Sequence, residues 1–111
     1  MKIKKELDEI YLIIVSEDFV EAHYKLEELW KKYKNEKTTR EESFILKALV
    51  NACLSIELYK MNRIEHSKKI WNIFKKYEYL IDKLNSENKK EYKKIQELIY
   101  IKKDKFVIIY Y

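Results

Sequence analysis

Apolar residues recur at intervals of three and four along most of this chain, the period of an amphipathic α-helix. One such stripe runs from Phe19 through Leu26 to Tyr33, and another runs from Ile64 to Ile81. Polar clusters interrupt the pattern, and they contain the candidate N-caps Ser16 or Asp18, Thr39, Asn62 and Ser86. The pattern predicts five helices, near residues 3–15, 18–34, 40–61, 63–84 and 87–103.

The third predicted helix differs from the others because apolar residues cover most of its circumference. Its polar positions, Lys47, Asn51 and Ser55, form one narrow strip at intervals of four. A helix that is apolar nearly all round is the central helix of a bundle. We therefore expect an all-α fold, a compact bundle of about five helices around the third, with helices three and four as an antiparallel hairpin.

The length of 111 residues corresponds to a single helical domain, residues 1–111. The sequence contains neither glycine nor proline. This excludes glycine-rich phosphate loops and proline-rich ligand motifs, and it argues against hairpin-rich β folds, whose tight turns need glycine.

The last six residues, 106–111, are β-branched or aromatic and follow the predicted fifth helix within the C-terminal segment 86–111. They are compatible with a strand and with a helical extension packed on the core, and the pattern leaves both open. Six apolar residues at a chain end favour burial, and we expect a homodimer.

The net charge of +5 is carried mainly by lysine, since only Arg40 and Arg63 are arginines. The apolar stretch at residues 10–15 is too short for a signal peptide or a membrane span, so no membrane association is expected. Cys53 is the sole cysteine, which is typical of a reducing cytoplasm. The Lys- and Glu-rich composition resembles that of thermophilic proteins.

One polar constellation interrupts the apolar stripes. His23 and Glu27 are four residues apart and Trp30 follows three later, so the three share one helical face. Glu57 interrupts the apolar stripe of the third helix, and a buried carboxylate needs a partner, for which His23 is the candidate. Three interpretations compete: a structural triad, a divalent-metal site formed by His23, Glu27 and Glu57, and acid–base catalysis by His23.

The motif around His23 resembles a known family. The run FVEAHYKLEELW, residues 19–30, is similar to the F-x-E-x-H-E-x-L-E-x-x-W motif of the small helical proteins called domain of unknown function 309, with Glu21 and Trp30 among the matched positions. The second helix of that motif is matched loosely at residues 49–51. The resemblance covers about residues 17–80, and it implies a helical bundle with a polar site between helices and no established reaction.

This sequence departs from the family motif at three positions. Tyr24 replaces the usual acid, Ala48 replaces a glycine, and Glu57 lies near the place of a second histidine. If the site binds metal in relatives, the loss of one acid and one histidine weakens that case here.

We therefore expect a non-enzymatic scaffold or interaction module that needs no cofactor and whose His/Glu cluster is structural. The alternative is a metal-binding, hydrolase-like protein using the same cluster. A second alternative, ranked lower, is weak nucleic-acid binding through two lysine-rich helices with interleaved tyrosines; its residues are Lys68, Lys69, Lys75, Lys76, Lys89, Lys90, Lys93, Lys94, Tyr77, Tyr79 and Tyr92.

Overall fold

The structure, a computed structural model, describes the backbone of residues 2–110 and the side chains of residues 2–106. Its helices are α1 (Lys4–Val15), α2 (Phe19–Lys34), α3 (Arg40–Lys60), α4 (Ile64–Tyr77), α5 (Leu80–Lys83) and α6 (Lys89–Tyr110). No strand occurs within residues 2–110, and the predicted all-α bundle is confirmed. Within this range, no helix is long and apolar enough to cross a membrane.

Helix α3 occupies the centre of the bundle, as its apolar circumference predicts. Thirteen of its residues are buried, among them Asn51 and Ser55 of the polar strip. The Ser55 and Ser67 hydroxyls lie 3.1 Å apart, and Phe44 stacks on Tyr77, so α3 and α4 run antiparallel. Because each serine hydroxyl also donates to the other's carbonyl, Ser55 of the polar strip links α3 to α4 instead of facing water.

The predicted fourth helix, 63–84, is wrong as a continuous element. It is divided into α4 and the single turn α5, with tighter backbone bonds from Ile81 to Glu78 and from Asp82 to Tyr79. The Glu78 carboxylate accepts hydrogen bonds from Gln96 at 2.7 Å and Tyr100 at 2.6 Å, both on α6. These bonds hold the junction between α4 and α5 against α6, and the residues that follow it, Leu80 and Ile81, are buried in the core.

The apolar tail continues α6 as a helix through Tyr110, and Tyr111 lies outside the described residues. Phe106 is buried, with its ring edge-on to Phe19 at 5.8 Å. Helix α6 runs parallel to α1, since Ile3 bonds Asn88 at one end and Lys102 bonds the carbonyl of Val15 at the other.

The helix caps agree with the pattern only in part. Asp18 caps α2 by accepting a hydrogen bond from the Glu21 amide, as expected. Thr39 makes no cap bond to α3, because its hydroxyl donates to the Tyr33 carbonyl at the end of α2. Asn62 is not the cap of α4; it adopts a φ of 63°, which asparagine tolerates better than most residues, and this reverses the chain between α3 and α4.

A buried polar network lies at the end of the bundle opposite the α3–α4 turn. It joins the start of α1, the end of α2, the start of α3 and the start of α6. Glu42 accepts hydrogen bonds from the Tyr92 hydroxyl at 2.6 Å and from the Asn88 amide at 3.0 Å. The same amide group lies 3.2 Å from the Tyr33 hydroxyl, and the Asn88 carbonyl oxygen accepts from the Ile3 amide. Burial raises the pKa of Tyr33 to about 12, and the negative charge of Glu42 acts in the same direction.

Candidate functional site

The structure brings His23, Glu27 and Glu57 together between α2 and α3. The Nε2 atom of His23 lies 3.3 Å from the Oε2 atom of Glu27, one turn along α2. Its Nδ1 atom lies 3.5 Å from the Oε2 atom of Glu57, on α3. The side chains of His23, Glu27 and Glu57 are 16%, 31% and 13% exposed, so the cluster is partly desolvated.

The packing of α2 against α3 explains why these side chains meet. Ala22, which precedes His23, and Leu26, three residues after it, are fully buried, and they turn that face of α2 toward α3. Ile56 and Leu58 are buried on either side of Glu57, so the carboxylate emerges at the edge of the core. The contact between the two helices therefore follows from their apolar stripes, and the polar cluster lies at the margin of that contact.

Glu57 is the electrostatically unusual member of the cluster. Burial raises its pKa above 4.5, the negative charge of Asp18 acts in the same direction, and His23 opposes the shift. Its Oε1 atom is buried and has no hydrogen-bond partner among the described residues. An ionised carboxylate is costly in such a position, which is the physical cause of the raised pKa of Glu57.

The imidazole of His23 is bracketed by carboxylates on both ring nitrogens. A single metal ion binds one ring nitrogen of a histidine, whereas Glu27 and Glu57 lie at opposite nitrogens. Among the described residues, no group of three His, Cys, Asp or Glu side chains is arranged to hold a metal ion. The geometry is that of a link between two helices, and a metal site would require a side chain of the cluster to turn.

Thiol chemistry is not available at this site. Cys53 lies one helical turn before Glu57 and is fully buried. Burial raises the pKa of its thiol far above neutral, and the nearby charge of Glu57 adds to the shift. A buried, protonated thiol is unreactive.

The other two motif residues do not join the cluster. Glu21 lies on the solvent side of α2, where it forms an ion pair with Lys25 at 3.7 Å. Trp30 is partly buried, and the ammonium groups of Lys34 and Lys47 lie 4.1 and 4.2 Å from its ring centroid. Since Lys47 belongs to α3, the Trp30 contact is a second link between α2 and α3.

A cleft beside the cluster was not predicted from the sequence. It has a volume of about 250 Å³, between residues 17–20 at the start of α2 and Glu57, Lys60 and Met61 at the end of α3. Its lining is mostly apolar and includes Phe19 and Val20. The walls are nearly forty residues apart in the sequence, so no local pattern indicates them.

Glu17, at the rim of this cleft, connects the α1–α2 turn to α6. It adopts a φ of 65°, and its Oε2 atom lies 2.8 Å from the Lys102 ammonium and 2.6 Å from that of Lys105. Hydrogen bonds to the two lysines lower the pKa of Glu17 to about 2. These residues are 85 or more positions apart, and sequence reasoning missed the contact.

The aromatic and basic residues of the nucleic-acid hypothesis do not form one open surface. Tyr92 is fully buried, and Tyr77 stacks on Phe44. Tyr79 is exposed, and Lys93 pairs with Asp82 at 3.0 Å. Since base stacking requires accessible rings, Tyr92 cannot take part.

A comparison with protein-family models matches residues 7–70 to the family described as Domain of unknown function (DUF309). The matched segment includes the His23 motif and Glu57, and it begins and ends about ten residues before the range suggested by the motif. Comparisons with curated proteins and with solved structures gave no match.

Proposed function

The chain belongs to the domain of unknown function 309 family, and we propose that it is a non-enzymatic interaction module, or scaffold, that acts as a homodimer. The observation that carries the proposal is the exposure of large apolar side chains on the bundle surface. Nine are exposed among the described residues, including Val20 and Met61, which line the cleft, and Tyr24, one helical turn after Val20. Apolar residues clustered on a surface mark sites of protein contact.

The polar cluster supports a structural role rather than catalysis. A general base needs a ring nitrogen that can reach a substrate, and each nitrogen of His23 already lies against a carboxylate. Glu27 is also engaged by Lys31 at 3.6 Å. The cluster links α2 to α3 and thereby stabilises the face that these helices present.

The molecular mass in solution tests the homodimer. Light scattering during size-exclusion chromatography should give a mass of twice 13.8 kDa at the higher protein concentrations. A mass of 13.8 kDa at every concentration would contradict the proposal.

Metal binding by His23, Glu27 and Glu57 is the second candidate. It is supported by the Oε1 atom of Glu57, which has no hydrogen-bond partner in the part of the chain that the structure describes. Such an oxygen is a potential ligand if the side chain turns. The test is a thermal melt of metal-stripped protein with Mn, Fe, Co, Ni and Zn, beside the His23→Ala variant. A metal at a hundred times its Kd adds about 2.7 kcal/mol to the stability of the folded state. A rise in the wild type and not in the variant would favour metal binding over the structural triad.

We also propose a cytoplasmic location, supported by the single, buried thiol of Cys53. Fractionation of cells that express the tagged full chain tests this, and recovery outside the cytoplasmic fraction would contradict it.

A further inference from the structure

One face of the bundle combines a cleft with protruding apolar side chains. We define the α2–α3 face as Val20, Tyr24, Met61 and the cleft between residues 17–20 and 57–61. Val20, Tyr24 and Met61 are 54%, 59% and 64% exposed. Val20 and Tyr24 are one turn apart on α2, and Met61 caps α3 across the cleft from Val20. The face therefore combines protruding apolar side chains with a cleft that could receive such a side chain.

The charges around this face are balanced. Asp18 and Glu21 lie on the α2 side, with Lys25 one turn beyond Glu21. Lys60 lies on the α3 side, where its ammonium is 5.6 Å from the Phe19 ring centroid. Within the part of the chain that the structure describes, Lys60 has no carboxylate within ion-pair distance. Glu17 and Glu57 also line the cleft, and Lys102 and Lys105 pair with Glu17. Four carboxylates and four ammonium groups therefore surround this face, although the chain as a whole has a net charge of +5.

This balance favours a second copy of the chain as the occupant. Two copies with a charge of +5 repel each other, and a neutral face keeps that repulsion smallest. In a two-fold dimer the same patch meets itself, so the patch must contain both members of every contact. The α2–α3 face meets this requirement: its Lys60 can pair with Asp18 or Glu21 of the other copy, and its cleft can receive an apolar side chain.

We propose that two copies of this chain associate through their α2–α3 faces around a two-fold axis, with Met61 of each copy entering the cleft of the other. This rests on the proposed function and names the surface that performs it. Covering the cleft removes Val20 and Met61 from water, which supplies the main favourable contribution. Lys60, at the rim, then gains a carboxylate partner, which it lacks among the described residues of one copy.

Sedimentation velocity of the full chain tests this face, with Met61→Lys and Val20→Lys as variants and Ile101→Lys as the matched control. Ile101 lies on α6 and is 65% exposed, against 64% for Met61, so the control adds the same charge at an equally exposed apolar site. We expect Met61→Lys and Val20→Lys each to raise the dimer Kd at least about tenfold, and Ile101→Lys to change it less than about twofold. Circular dichroism melts verify that each variant is folded.

The outcomes separate the two proposals. If the wild type dimerises and the α2–α3 variants dimerise equally well, the dimer uses another face; this inference is then overturned and the proposed function stands. If Ile101→Lys weakens the dimer as much as Met61→Lys, the inference is also overturned. A wild type that stays monomeric at all concentrations overturns the homodimer itself. If Val20→Lys and Met61→Lys weaken the dimer and Ile101→Lys does not, the result supports both the homodimer and its α2–α3 interface.

Discussion

Replacing Glu57 by glutamine tests the cluster most directly, because it keeps the shape of the side chain and removes its charge. Burial raises the pKa of Glu57 in the folded protein above 4.5. The Glu57 carboxyl group therefore keeps its proton in the folded chain over a pH range in which the same group has lost its proton in the unfolded chain. The free energy of unfolding falls as pH rises through that range, by at most about 1.4 kcal/mol per pH unit for one group.

The size of the effect follows from the surroundings of the carboxylate. Glu57 is 13% exposed and its Oε1 atom has no partner among the described residues, while His23 lies beside Oε2. A buried polar group without its partner costs about 1–3 kcal/mol. His23 offsets part of this cost when Glu57 is ionised. We expect Glu57→Gln to stabilise the protein by about 1 kcal/mol near pH 8 and to match the wild type within about 0.5 kcal/mol near pH 4.

Urea denaturation of wild type and Glu57→Gln across this pH range measures the difference in unfolding free energy. Glu21→Gln is the matched control, since Glu21 is 49% exposed and pairs only with Lys25 in the structure described. An exposed pair contributes about 0–1 kcal/mol, so the effect of Glu21→Gln on the free energy of unfolding should be small. A pH-independent difference for Glu57→Gln, or a variant less stable than wild type near pH 8, would refute the reasoning.

Three further predictions concern stability. His23→Ala should destabilise the protein by about 2 kcal/mol in chemical denaturation, because it leaves the buried Glu57 carboxylate without its partner; an unchanged value would contradict the structural link. Glu17→Gln should cost about 1–2 kcal/mol near pH 7, since the pKa of Glu17 is lowered to about 2. That contribution is present above pH 4.5 and is lost as pH falls toward 2, so the gap between wild type and variant should close in acid, and a gap that persists there would disprove the Lys102 pairing. Tyr92→Phe should cost about 1–3 kcal/mol, because Glu42 loses a 2.6 Å donor within a buried network; a loss below about 0.5 kcal/mol would show that the network contributes little.

Local patterns were sufficient to predict most of the helices. The 3.6-residue period depends on residues three and four apart, and it correctly placed α1, α2 and α3 to within about one residue. The His23–Glu27 pair was predictable for the same reason, since residues four apart on a helix are neighbours. Glu57 was identified because it interrupts an apolar stripe, and the structure places it against His23.

The apolar periodicity continued across Glu78 and Tyr79, so the sequence predicted one helix where there are two. Glu78 bonds Gln96 and Tyr100 on another helix, and the pattern around Glu78 contains no sign of those distant donors. Thr39 was expected to cap α3 because threonine is a preferred N-cap residue. That preference does not reveal that the Tyr33 carbonyl competes for the Thr39 hydroxyl.

Periodicity and local spacing are properties of neighbouring residues. They determined most of the helices, the central position of α3 and the two polar residues that share one face of α2. The positions of separate helices depend on how each rotates and slides on the core, which no local pattern records. The tertiary structure alone therefore decided the Glu17 contacts with α6, the buried network around Asn88, and the cleft between Val20 and Met61. Each of these brings together residues far apart in sequence, whose proximity results from packing many apolar side chains at once.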